Sequence, residues 1–374
     1  MKKIVSLIIA IILLLSIAIA CNTEKQSTSS ESQANVDSVK SENAVSTAMP
    51  AQTDNSSVDL NDQNQKVENS SADNPKETDE PAIVLEKPVN VAALIGPTGI
   101  GLTYLTSYSN FFSLELFTAP DQVTAKIING EVDIAAVPVN LASVLYNKTK
   151  GAISVIAVNT LGVLYIVERG DSIHSVQDLA GKTIYATGQA STPQYIFEQI
   201  LAQNGLADNV TVEYVADGSE LATKLVNGDV EIALLPEPQV SVACIQSQNE
   251  VRVALSINDL WSQNNNSSIV QGVYIVRNEF LENYKPLVDR FMEDAAVSAN
   301  KVITNENAPA DVVAAGILPK EPIAKRAIPN CNICFVSGDE MVQLVSGMLE
   351  TLYSANPSSV GGTLPDDAFY YKNS

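Results

Sequence analysis

The sequence predicts an α/β protein of two similar Rossmann-like lobes, joined by two hinge strands, with a ligand cleft between the lobes. Three observations carry that expectation. KIINGEVDIAAVP at 126–138 returns as KLVNGDVEIALLP at 224–236, identical at seven of thirteen positions. Two strand–loop–helix patterns, at 89–105 and 182–201, form a second and looser pair. GVLYIVERG at 162–170 is matched by QGVYIVRNE at 271–279, as expected of a chain that leaves one lobe and later comes back. A repeat of this period is the first thing an account of the fold has to explain.

The amino end concerns compartment rather than fold. Met1-Lys2-Lys3 is basic, and Ile4 to Ala20 is apolar apart from Ser6 and Ser16, so 1–20 reads as a secretory signal. The run also approaches the length of a membrane helix, which leaves an uncleaved anchor as the alternative. Ala18 and Ala20 immediately before Cys21 resemble a bacterial lipoprotein signal, in which Cys21 becomes the lipidated first residue. From 22 to 88 the chain is rich in Ser, Asn, Gln, Thr, Asp and Glu, with thirteen acidic and five basic residues and no apolar period. Such a segment buries too little apolar surface to offset the entropy of ordering, so 21–88 is expected to be a disordered tether.

The body, 89–374, has the length of one large or two modest domains. A formal charge of −21 argues against a nucleic-acid partner, since phosphate binding needs clustered Lys and Arg. Cys331 and Cys334 have CxxC spacing, but His174 is the single histidine, too few partners for a zinc site. A disulfide or two part-buried thiols both remain open.

Each copy of the repeat divides into helix, stop and strand. Val123, Ile127 and Ile128 have helical spacing after Pro120, which suits a first turn; Leu221, Leu225 and Val226 do the same, with Ser219 as the N-cap. Asn129-Gly130 and Asn227-Gly228 end the helices, because glycine enters the left-handed conformation without a Cβ penalty. VDIAAVP and VEIALLP follow as apolar runs typical of buried parallel strands, each closed by a proline. Ligands of open α/β sheets sit beyond the carboxyl ends of strands, so Asn140 and Glu237, just past these strands, are candidate contacts; each could equally be a plain turn residue.

The looser pair supplies two further loops, 96–101 and 187–193. The first lacks the third glycine of a dinucleotide fingerprint, and no Lys follows to make a Walker loop. What both offer is backbone amides and hydroxyls at a helix N-terminus. One such contact is worth about 0.3–1 kcal/mol, whereas micromolar affinity needs about 8 kcal/mol, so contacts from two lobes must converge. Lobe I is assigned to 89–169 with 272–374, and lobe II to 170–271. The C-terminal part has helical periodicity.

DSIHSVQDLAGKTIYATGQASTPQYIFEQIL at 171–201, NGDVEIALLPEP at 227–238 and the signal around Cys21 resemble a solute-binding lipoprotein of an ABC importer, in the nitrate, sulfonate, taurine and thiamine-pyrimidine binding family. The resemblance spans 89–374. It implies a type II periplasmic-binding fold that closes on a small solute and delivers it to a permease and its ATPase. It also implies an extracytoplasmic, lipid-anchored monomer on the membrane of a Gram-positive cell. It places binding residues at Pro97, Thr98 and Gly99, at Asn140, at Gln189, Ser191 and Thr192, and at Glu237; Asn159 and Thr160 are further candidates. No cofactor, metal or catalytic residue is expected. None of these loops carries Arg or Lys, which disfavours a planar anion gripped by a guanidinium fork. Tyr104, Tyr108, Phe111, Phe112 and Tyr195 either pack in the core or face the cleft. In the second case a flat heteroaromatic solute, with Glu237 accepting from a ring amine, stands beside a sulfonate-like one. A sensor that presents its solute to a receptor is the alternative, and an enzyme on the same fold is the weaker rival.

Overall fold

A computed structural model of the chain describes residues 87–372 with the exception of 109. The signal, Cys21 and the tether up to residue 86 lie outside the described residues.

Strand β1 (Val89–Leu94) runs into two short helices, α1 (Pro97–Ile100) and α2 (Leu105–Tyr108). The alternation continues through β2 (Phe112–Phe117), α3 (Pro120–Ile128), β3 (Ile134–Pro138), α4 (Val139–Thr149) and β4 (Ile153–Leu161). A second series follows: β5 (Leu164–Arg169), β6 (Thr183–Ala186), α5 (Thr192–Gln203), β7 (Thr211–Tyr214), α6 (Gly218–Asn227), β8 (Ile232–Pro236), α7 (Gln239–Gln246), β9 (Val251–Ser256) and α8 (Ile257–Asn265). The chain closes with β10 (Val270–Arg277), α9 (Asn278–Asn283), α10 (Lys285–Thr304), α11 (Ala308–Ala314), α12 (Glu321–Ala327), β11 (Ile333–Val336) and α13 (Gly338–Ala355).

The duplication read in the sequence is a duplication of sheets. One sheet has the order β2-β1-β3-β10-β4 with β11 added at its edge; the other has the order β7-β6-β8-β5-β9. In each, two parallel pairings precede one reversed strand. β10 runs antiparallel between β3 and β4, and β5 runs antiparallel between β8 and β9. The repeat proline is paired at the same place in both: Pro138 with Gly272, and Pro236 with Leu164. Central strands read as unbroken apolar runs because both faces are covered, and eight of the nine residues of β4 are buried.

Several local expectations change. The glycine-rich stretch after β1 is helical from Pro97, so it is a one-turn helix rather than an open loop. The α6 helix is capped by Asp217, not Ser219: the Asp217 carboxylate accepts from the amides of Ser219 and Glu220, which makes Ser219 part of the first turn. The chain changes sheets between Leu161 and Leu164, earlier than the boundary at 169, and returns between Ser256 and Val270. Strand 164–169 therefore pairs within the second sheet. Cys331 and Cys334 are free thiols, the first buried and the second half-buried. Burial pushes the Cys334 thiol up to about 12.

Candidate functional site

The loops beyond the carboxyl ends of the strands are built from backbone geometry first. Gly96 sits at φ 104°, ψ −154°, open to glycine alone among the common residues, and turns the chain off β1 into α1. Gly99 has no room for a side chain, since a Cβ there would lie 2.6 Å from the Leu94 carbonyl oxygen. This tight return leaves Thr98 only 6% exposed, pressed against the end of the sheet.

Asn159 and Thr160, near the end of β4, complete this corner. Both are buried, and the Thr160 hydroxyl lies 2.8 Å from Asn159 Oδ1 and 3.4 Å from the Pro97 carbonyl. On the neighbouring strand, Gly272 lets them approach: a Cβ at 272 would fall 2.5 Å from Asn159 Oδ1 and 2.6 Å from Thr98 Cγ2. Pro97, Thr98, Asn159 and Thr160 are thus brought together by direct contact. Asn159 Nδ2 is buried without a partner among the described residues. Turning the amide over would let it donate to Thr160 and would strand Oδ1 instead, so one polar atom is orphaned either way. Asn140, the second residue of α4, is half-buried, and no side chain caps that helix.

In the second sheet, the loop after β6 makes its contacts within itself. The Ser191 hydroxyl donates to the Gly188 carbonyl, and the Ala190 amide donates to Gln194 Oε1. Ser191 therefore leaves the first turn of α5 without a side-chain cap. Thr192 is half-buried and Gln189 is exposed. Glu237 behaves differently. It is 2% exposed, and its carboxylate accepts from the Ser241 amide, the Ser241 hydroxyl and Asn330 Nδ2. Burial raises its carboxyl above the ordinary range, against the lowering by Ser241, Asn330 and the nearby Arg326. The residue expected as a ligand acceptor already accepts three hydrogen bonds within the protein and closes the first turn of α7.

The aromatic candidates pack. Tyr104 is 5% exposed with its hydroxyl on Asp311 at 2.6 Å; Phe112 lies edge-on to Phe291; the Tyr195 hydroxyl accepts from Asn356 Nδ2. A cavity of about 450 Å³ lined by Asn90, Asp133, Arg277, Phe280 and Tyr284 lies at the opposite ends of β1 and β3 from these loops. Gly272, Ser241 and Asn330 were not foreseen. Gly272 could have been: it is the second residue of the segment QGVYIVRNE that matches GVLYIVERG. Asn330 carries no sequence signal.

Two α/β sheets of one strand order, crossed twice by the chain, with uncapped helix starts and buried polar groups beyond the strand ends, define a type II periplasmic-binding-protein fold. The chain belongs to the NMT1/THI5-like family, whose model matches residues 115–308. Among solved structures it is similar to an ABC transporter from Parabacteroides distasonis, at 23% identity over 77% of this chain and 100% of that one, TM-score 0.67. It is also similar to the periplasmic aliphatic sulphonate binding protein SsuA from Escherichia coli, at 15% identity over 77% of this chain and 93% of that one, TM-score 0.61. A ligand-binding component of an ABC-type import system from Staphylococcus aureus gives 14% identity over 76% and 98% of the two chains, TM-score 0.56. No curated protein sequence matches it.

Proposed function

We propose that this protein is the solute-binding component of an ABC importer, held on the outer face of the cell membrane by a lipid on Cys21 and a tether through residue 88. It acts by binding rather than catalysis, and it hands its solute to a permease. The observation that carries the reading is the orphaned amide of Asn159, buried at the meeting point of Thr98, Thr160 and Gly272 beyond the strand ends of the first sheet. A buried amide atom without a partner costs about 1–3 kcal/mol, which a bound polar group would recover.

In this reading Pro97, Thr98, Gly99, Asn140, Asn159 and Thr160 grip the solute from one lobe. Gln189, Ser191 and Thr192 grip it from the other, and Glu237 supports the second lobe from behind. The packed aromatic rings leave stacking little to offer, which favours a sulfonate-like solute held by amides and hydroxyls over a flat heteroaromatic one. The similarity to a sulphonate binding protein agrees with that choice. Isothermal titration with taurine and with an aminopyrimidine tests it. Heat with taurine that Asn159→Ala removes is the expected result; heat with the pyrimidine alone would reverse the choice. Silence with both, together with a native mass spectrum showing no co-purified solute, would overturn the binding role.

A further inference from the structure

Away from the two crossings, the lobes are joined by the C-terminal helices, and two asparagines make side-chain hydrogen bonds across that junction. Helix α12 packs against α11 on one side and against α7 of the second lobe on the other. Just after α12, Asn330 donates from Nδ2 to Glu237 Oε1 at 3.2 Å and to the Arg326 carbonyl at 3.0 Å. Its own carbonyl accepts from the Tyr165 hydroxyl at 2.7 Å. Asn330 thus touches two strand ends of the second sheet at once. Helix α13 packs against α4 and β4 of the first lobe and also against α5 of the second. At its end, Asn356 Nδ2 donates to the Tyr195 hydroxyl at 2.8 Å. The acceptors Glu237 and Tyr195 are 2% and 8% exposed, so water competes weakly for either bond.

We infer that Glu237–Asn330 and Tyr195–Asn356 are two ties across the hinge that set the angle between the lobes. Two poorly hydrated hydrogen bonds, one of them to a carboxylate, suffice together to shift a two-state hinge about tenfold or more. Opening must break them, and because Glu237 directly follows β8, the Asn330 tie starts at the rim of the proposed binding site. Asn330 and Asn356 are positioning residues: they touch no solute and act on lobe geometry alone.

The test is the distance between lobes, measured by double electron–electron resonance on the full chain. Spin labels are placed at the exposed positions Gln122 and Ala202, one in each lobe, with Cys334 replaced by Ala. Asn330→Leu removes the tie to Glu237 and Tyr195→Phe the tie to Asn356, each at nearly constant volume. Parent and variants all carry Tyr165→Phe, because the bond from the Tyr165 hydroxyl to the Asn330 backbone carbonyl survives a side-chain change at 330. The parent is expected to give one narrow distance peak, each single variant a broader one, and the double variant a shift to longer distance. A double variant that melts cooperatively yet keeps the parent's peak would overturn the inference; should it fail to fold, the single variants carry the same readout. No solute enters the measurement, so its outcome is separate from that of the binding reading.

Discussion

Arg277 and Arg169 hold equivalent turns: each guanidinium lies against the left-handed glycine that ends a repeat helix, Gly130 for the first and Gly228 for the second. Each also donates its backbone amide to the residue that leads into the following strand, Arg277 to Asp133 and Arg169 to Glu231. The side chains differ in their remaining partners. Arg277 pairs with Asp133 at 2.8 Å and with the exposed Glu279 at 3.0 Å and donates to the Val132 carbonyl, while Arg169 pairs with Glu250 and donates to the carbonyls of Leu225 and Val226.

That difference decides a stability comparison. The Asp133 side chain is 15% exposed and Glu250 is 64% exposed, so Arg277→Ala leaves a carboxylate with little water and only the Asn90 amide for a partner, while Arg169→Ala leaves one well solvated. Arg277→Ala is expected to cost about 2–3 kcal/mol and Arg169→Ala about 1 kcal/mol in urea denaturation. Equal losses would mean that the acid partners do not matter.

Gly272→Ala should strike the site and spare the fold. The added methyl meets Asn159 Oδ1 and Thr98 Cγ2, both side-chain atoms that can give way, so the chain still folds while the corner is displaced. Solute affinity is expected to fall by about tenfold or more, equivalent to about 1.4 kcal/mol. Gly347→Ala is the control: it lies exposed in α13 with nothing within 4 Å of its added methyl, and should stabilise by about 0.5–1 kcal/mol without touching affinity.

Glu168 supplies a pH test. Burial pushes its carboxyl up, but the backbone amides of Ile173 and Ser172, the Ser172 hydroxyl and Arg252 outweigh that, and the net shift is downward. A carboxyl lowered in the folded state stabilises above its unfolded value and loses that contribution as pH falls through the folded one. Wild type should therefore lose stability as pH drops below the ordinary glutamate range, and Glu168→Gln should lose less over the same interval. Parallel curves in chemical denaturation from pH 6 to pH 3 would contradict this.

Tyr104 gives the alkaline counterpart. Burial and the hydrogen bond to Asp311 push its hydroxyl up from 10.0 to about 12. An acid raised in the folded state contributes stability below its unfolded value, lost as pH climbs through the folded one. Between pH 10 and pH 12 the wild type should weaken more steeply than Tyr104→Phe, which has no hydroxyl to ionise. Ultraviolet titration should show this tyrosine ionising with the late group; ionisation near 10 would refute the buried bond.

The duplicated units were legible because their signals are local: apolar runs, Asn-Gly stops and closing prolines lie within thirteen residues of one another. β2 and β7 were not, since both alternate burial and exposure, with Glu115 and Glu213 facing out, and neither shows the unbroken apolar run of a central strand. β11 has four residues and takes its place only by pairing with β4. At the site, the corner of Thr98, Asn159 and Thr160 follows from strand ends, which sequence patterns locate. That Glu237 would be sealed by Asn330, 93 residues onward, depends on how a late helix packs, and no periodicity encodes it. The cap at Asp217 was two residues from the expected one, since Asp, Gly and Ser in a row all suit the start of a helix.

Strand β10 sits in the middle of the first sheet, between β3 and β4, although it is made after every strand of the second. A chain synthesised or exported amino end first can finish the second sheet while the first still has a gap where Val273, Tyr274 and Ile275 will go. Until those residues arrive, β3 and β4 have no partner on the facing edge. A chain cut short before residue 270 would hold one finished half and one open-edged half, and the open edge is the part that quality-control proteases or a stray neighbouring strand would find first.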